Sequence, residues 1–248
     1  MKRPLLLLCV CAALFSLPRR ATSQWIPDER SRREALQYYR AGEELMSAEQ
    51  FEKAATQFTK AIEKNPLFTL AHYELGQSYM ALHRFASAVQ AYERCLDAFR
   101  ALYGFGQSHR VEIERQREDD IRELNDNMRR MLQAGQRLRA TQTEVRLREL
   151  EQQRTSIDAP FHPPAEVLLA LGSAFFRNGQ TAEAEANWQA AVEENPKLGE
   201  AHNNLAVIYM ETGRLDRAEQ ELKLAEKNGF RVHSQFKADL QSRRKAKS

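Results

Sequence analysis

The sequence predicts an all-α chain of stacked helix pairs, on three observations. Residues repeat at a spacing of 34, once early and once late in the chain, and a fixed period of about 20–50 residues marks a repeat architecture. Strand-like alternation of apolar and polar residues is missing throughout, which removes an α/β scaffold. A long stretch between the repeat pairs is built almost wholly from helix formers. The composition agrees: of 248 residues, 42% are hydrophobic and 29% charged, enough apolar mass for a core in a water-soluble chain. Ten Gly and eight Pro exclude collagen-like or low-complexity sequence, and three Cys exclude a disulfide scaffold.

Residues 1–23 read as a secretory signal peptide. Lys2 and Arg3 precede an apolar run of 11 residues from Leu5 to Phe15, and Ala21-Thr22-Ser23 offers small residues for cleavage after Ser23. The run is short of the roughly 20 residues that span a bilayer. Arg19-Arg20 before the cleavage site keeps a second outcome open, in which the segment stays as an anchor and touches a membrane. Cys9 and Cys11 lie here, so the mature chain keeps Cys95 alone, which replaces a packing Ala and reads as a small buried hydrophobe. The formal charge of +3 also originates here. Without Lys2, Arg3, Arg19 and Arg20, the 37 basic residues fall to one fewer than the 34 acidic ones, which argues against nucleic acid as a partner.

Residues 24–102 hold the first repeat pair. Leu36 matches Leu70, Tyr39 matches Tyr73, Gly42 matches Gly76, Met46 matches Met80, Phe51 matches Phe85, Ala54 matches Ala88 and Phe58 matches Tyr92. Residues 165–229 hold the second pair: Leu171 matches Leu205, Gly172 matches Ala206, Phe175 matches Tyr209, Gly179 matches Gly213, Ala184 matches Ala218 and Ala191 matches Ala225. Gly or Ala allows two helices to approach, Leu and aromatic residues fill the space, and Pro66 or Pro196 ends the second helix of a unit. These motifs, Leu75-Gly76 with Tyr79, Ala88 and Tyr92, and Leu171-Gly172 with Phe175, Ala184, Trp188 and Pro196, resemble the tetratricopeptide repeat (TPR) family. The resemblance covers about 140 residues, and it implies a helix-turn-helix solenoid that binds proteins. The family's Trp position holds Tyr38, His72, Leu168 and His202; the two histidines are expected to pack there as fillers, since neither has partner ligands for a metal.

Residues 103–164 separate the pairs. From Ser108 to Ile157 there are 11 Arg and 10 Asp or Glu, with no Lys, Pro, Phe, Tyr or Trp. Ile121, Leu124, Met128, Met131, Gly135 and Leu138 follow a 3-4 spacing, continued by Val145, which is a thin coiled-coil seam. Two packings are open: one long helix whose seam needs another chain, giving a homodimer, or a hairpin turning at Gln133–Gln136 on Gly135, which would bring the four repeats together. Asp158-Ala159-Pro160-Phe161-His162-Pro163-Pro164 is a stiff extended linker. Residues 230–248 form a final amphipathic helix on Phe230, Val232, Phe236 and Leu240, as a solenoid end requires, then a solvated basic tail of Arg243, Arg244, Lys245 and Lys247.

The first helices of stacked repeats line a concave face, which the resemblance makes the candidate protein-binding groove: Leu36, Tyr39, Met46, Leu70, Tyr73, Met80, Leu169, Phe176, Asn203, Val207 and Met210. Glu43, Gln77, Ser173 and Arg177 share this face. A competing reading is that the 103–164 insert covers the Leu, Tyr and Met set, because large apolar patches are uncommon on monomers. Among inward positions only Arg40, Arg177 and Asn203-Asn204 suit a carboxylate clamp. No catalytic, cofactor or metal motif is present. The expectation is an exported, non-enzymatic scaffold, held in the periplasm or cell envelope or else secreted, possessing no cofactor, that binds a peptide or helix. Two alternatives stand beside it: a self-associating structural protein that uses the insert as a coiled coil, and an accessory subunit of an envelope enzyme or secretion complex.

Overall fold

A computed structural model describes residues 27–105, 110–152 and 161–247. The expected signal segment and the Asp158–Pro160 part of the linker lie outside the described residues. Eleven helices follow one another among those residues: α1 (Glu29–Ser47), α2 (Phe51–Lys64), α3 (Thr69–Ala81), α4 (Phe85–Phe105), α5 (Arg110–Gln133), α6 (Arg137–Gln152), α7 (Ala165–Arg177), α8 (Thr181–Glu194), α9 (Gly199–Glu211), α10 (Leu215–Lys227) and α11 (Ser234–Lys247). No helix among them is long and apolar enough to cross a membrane.

Local chemistry sets the helix ends. Asp28 caps α1 by accepting the Ser31 amide at 2.7 Å, one of the donors a helix start leaves unpaired. After α2 and α8, Asn65 and Asn195 accept the amides of Leu67 and Lys197, and the following Pro66 and Pro196 end each unit. Between the two helices of a unit the chain needs a left-handed residue. Gly179 and Gly213 supply it with φ of 82° and 73°, whereas the first two units use Glu49 at 58° and His83 at 56°. A left-handed L-residue costs about 1–2 kcal/mol, only part of which glycine's extra unfolded freedom returns. Glu49→Gly is therefore expected to stabilise the protein by about 0.5–1 kcal/mol, and an unchanged or lower melting temperature would contradict the strain.

Packing within units follows the 34-residue motif. A Cβ on Gly42 would lie 2.5 Å from the Phe58 ring, one on Gly76 2.5 Å from Tyr92, and one on Gly172 2.6 Å from Trp188. Each small residue thus admits an aromatic ring sixteen residues later, while the fourth unit pairs Ala206 with the smaller Leu222 at the same positions. Unit stacks on unit: α2 on α3, α4 on α7, α8 on α9. One core runs across the insert, joining Val89, Tyr92 and Leu96 of α4 to Val167, Leu168 and Leu171 of α7. The solenoid is therefore continuous although its second and third units are far apart in sequence.

His72 and His202 are buried and their Nε2 atoms bond the Pro66 and Pro196 carbonyls at 2.9 and 3.0 Å, the filler role expected of them. Burial lowers the pKa of His72. Cys95 is fully buried, its thiol donates to the Thr69 carbonyl at 3.3 Å, and burial pushes it up to about 12. Alkylating reagents are expected to leave Cys95 unmodified in the native state and to label it in denaturant, as peptide mass mapping would show; rapid native labelling would refute this.

The insert turns at Gly135, at φ 75°, and α5 and α6 pack antiparallel. Leu124 and Met131 of the expected seam are buried, with Ile121 and Met128 packed beside them, but the seam does not continue. Leu138 is 76% exposed, because the turn resets the helical phase. Leu147 and Leu150 take the inward positions on α6. This stripe is covered by α1 and the α2–α3 region of the same chain, through Tyr39, Met46, Phe68 and Leu70. At the other end, Gly229 at φ 81° closes α10, with the Phe230 amide on the Ala225 carbonyl at 2.9 Å. Val232 and then Phe236 and Leu240 of α11 cap the last unit. The basic residues expected to be a solvated tail belong to this cap: Arg243 donates to the Met210 carbonyl and Arg244 pairs with Asp216 and Glu219.

Candidate functional site

The concave face is lined by α1, α3, α7 and α9, and the α5–α6 hairpin lies in its first half. Tyr39, Met46 and Leu70 are buried beneath the hairpin, and Leu36 packs beside them, so the hairpin covers the unit-one share of the expected set. The physical reason is the apolar stripe of the hairpin: these side chains were the surface able to cover it. Arg40, a clamp candidate, is taken by Glu123 of α5 at 2.9 Å. Met210 is buried under α11. Phe176 leans on Trp188 with ring centroids 5.6 Å apart, and Arg177 sits 5.1 Å above the Phe85 ring.

An open cavity of about 390 Å³ lies where α3, α6 and α7 meet, with α1 and α5 closing its far side. Tyr39, Met46, Tyr73, Met80 and Leu169 line it from the expected set, joined by Glu74, Gln77, Arg139, Arg146, Glu166, Ser173 and Glu200. Asn203 and Val207, half-exposed on α9, continue the same concave surface beyond it. The cavity joins aromatic and thioether surface to carboxylates and two guanidinium groups, a mixture suited to side-chain recognition.

Its wall is electrostatically loaded. Arg146, only 8% exposed, lies over the Tyr73 ring with its guanidinium carbon 4.2 Å from the centroid. Its Nη1 stands 3.9 Å from Glu74 Oε1, a loose ion pair, and its Nη2 has no hydrogen-bond partner among the described residues. Glu43, 4% exposed, accepts from Asn127 Nδ2 and shares a side-chain hydrogen bond with Glu74. Burial, and then the charge of nearby Glu74, pushes the Glu43 carboxyl up to about 8, and burial raises Glu74 as well. Farther along, burial and the hydrogen bond with Glu149 push Glu166 up to about 9. Burial lifts Asp120 of α5 to about 7 against Thr69.

Sequence reasoning placed Glu43 on this face but missed Glu74, Arg146 and Glu166. Nothing in the string distinguishes Arg146 from the other ten arginines of its segment; its position follows from the phase that Gly135 sets. Among the described residues no cluster of His, Cys, Asp and Glu could hold a metal ion.

A family model described as tetratricopeptide repeat matches residues 39–104 and 169–229. No curated protein sequence matches the chain significantly. Similar solved structures include the first TPR of Spaghetti (RPAP3) bound to an HSP90 peptide, 14% identical over 73% of this chain and 95% of that one, with a TM-score of 0.46. YrrB, a TPR protein with an unusual peptide-binding site, is 18% identical over 87% of this chain and 94% of that one, TM-score 0.30. TTC0263, a thermophilic TPR protein in Thermus thermophilus, is 19% identical over 84% of this chain and 98% of that one, TM-score 0.36.

Proposed function

The chain belongs to the tetratricopeptide repeat family, and from that premise we propose that it is an exported, non-enzymatic scaffold of the periplasm or cell envelope. In this reading it binds a peptide or helix of another protein on the concave face, where its two repeat pairs meet. The observation that carries the binding role is the open cavity beside α7, where Tyr73, Met80, Leu169 and Ser173 meet Glu74, Glu166 and Arg146. Its concave, mixed lining fits a partner's side chains, and the groove continues over Asn203 and Val207. Lys2 and Arg3, the Leu5–Phe15 run and Ala21-Thr22-Ser23 support export.

Site-specific photocrosslinking in the native host tests both halves. A crosslinker at Ser173, in the cavity, is expected to capture a partner from the envelope fraction, and one at Ala186, exposed on α8, is not. Only intramolecular products from Ser173, or equal capture from Ala186, would overturn the binding role. A mature protein that still carries Leu5 to Phe15 by mass spectrometry would overturn the cleaved signal.

A further inference from the structure

The hairpin occupies the first half of the concave face in the way a bound helix would. α6 faces α3, buries Leu147 and Leu150, and sets Arg146 against the repeats. The receptor side is a small box: the Tyr73 ring, braced by Gln77 Nε2 donating to its hydroxyl at 3.0 Å and by Tyr92 at 5.6 Å between centroids, with Glu74 and Glu43 behind it. Aromatic face and carboxylates together select a planar cation, and arginine satisfies both at once.

The fit of the resident arginine is incomplete. Its ion pair to Glu74 spans 3.9 Å, and its Nη2 is buried without a partner among the described residues. Buried polar atoms in native proteins are nearly always satisfied. A charge-assisted bond between guanidinium and carboxylate ordinarily spans about 2.7–2.9 Å and is often bidentate. The box therefore holds capacity that α6 leaves unused.

We propose that the box of Tyr73, Glu74 and Glu43 is a recognition site for a partner helix that presents an arginine beside leucine, and that α6 is its displaceable internal occupant. This rests on the concave face being the binding face, and it specifies the partner's chemistry and the segment that must yield. A tethered competitor acts at an effective concentration of about millimolar. The apparent affinity for a partner in trans is then reduced by the fraction of molecules whose hairpin is undocked.

The probe is a fluorescent synthetic peptide with the sequence of residues 137–152, titrated against the full chain by anisotropy. Weak binding to the unaltered chain is expected, and at least about tenfold tighter binding to an Arg146→Ala chain, since a 1.4 kcal/mol loss of hairpin docking suffices for that factor. Adding Glu74→Gln is expected to cancel the gain, and a peptide whose residue corresponding to Arg146 is alanine is expected not to bind. Arg146→Lys, which keeps the cation and loses the planar fork, is expected to fall between and guards against a variant that simply unfolds. Hydrogen exchange in α5 and α6 is expected to rise on peptide binding while α1–α4 stay protected. Equal affinity for the unaltered and Arg146→Ala chains, indifference to Glu74→Gln, or no binding to either chain would overturn the proposal. Partner capture from Ser173 that survives such a result would leave the scaffold reading standing and remove this one alone.

Discussion

Trp188→Ala is expected to destabilise the protein by about 3–5 kcal/mol, the range for emptying a buried aromatic site. The indole is 3% exposed, donates Nε1–H to the Leu169 carbonyl at 3.1 Å, and fills the space that Gly172 leaves open. Gly172→Ala should cost about 1–3 kcal/mol for the opposite reason, because its new Cβ would meet the ring at 2.6 Å. The two sites are coupled, and the protein carries a template for the compensated pair. Its fourth unit has Ala206 and Leu222 at these positions, both buried. In a Trp188→Leu background, Gly172→Ala is therefore expected to become nearly neutral. Denaturant midpoints of the four proteins complete the cycle; strict additivity would show that the glycine and the ring do not meet as described.

The second large effect is on pH. The groups facing one another between hairpin and repeats are Tyr39, Arg40, Glu43, Tyr73, Glu74 and Cys95 on the repeats, Asp120, Glu123, Arg130, Arg139, Arg146 and Glu149 on the hairpin, and Glu166 on α7. Glu123 is matched by Arg40 and Arg130. Glu43, Glu74, Asp120 and Glu166 are raised, to about 8 for Glu43, about 7 for Asp120 and about 9 for Glu166. An acid whose pKa is higher in the docked state binds its proton more tightly there, so acid conditions favour docking. The stabilisation is complete below the ordinary carboxylate range near pH 4, and is lost progressively as pH rises toward 9. The loss should be of order a few kcal/mol, read as a falling protection factor in α5 and α6 between pH 5 and pH 9, after the intrinsic rise of amide exchange with pH is divided out. Glu43→Gln keeps an acceptor for Asn127 and removes one titration; it should flatten the profile and stabilise docking at pH 8. A flat profile in the unaltered protein would refute the buried protons.

Much of the fold is legible in the sequence because repetition amplifies weak signals. Gly76 alone says little, but Gly42, Gly76 and Gly172, each with an aromatic residue sixteen positions on, specify a helix pair. The end of the solenoid is equally readable from Val232, Phe236 and Leu240. The candidate site is less so. Periodicity assigns Tyr39, Met46 and Leu70 to the concave face, and the chain does place them there, but which surface covers them depends on how the insert docks. That docking turns on the phase of α6, which one left-handed glycine resets, moving Leu138 outward and Leu147, Leu150 and Arg146 inward. A heptad reading continues straight through the glycine and misses the change. The roles of Glu74 and Glu166 depend on contacts across long sequence separations, and a mixed-charge string does not reveal which carboxylates lose their water.

The stacking of α4 on α7 bears on how the molecule assembles. Each repeat pair is local in sequence and can form early, but the joint between them must bring α4 and α7 together across the intervening chain. Each doubling of such a loop costs about 0.6 kcal/mol in closure entropy, so an insert of this length handicaps the joint by about 2 kcal/mol relative to a turn of a few residues. The hairpin meets that handicap on its own route, because laying α5 over unit one delivers the end of α6 beside α7. The expected folding order is first pair, hairpin, and last the closure that makes two short solenoids into one.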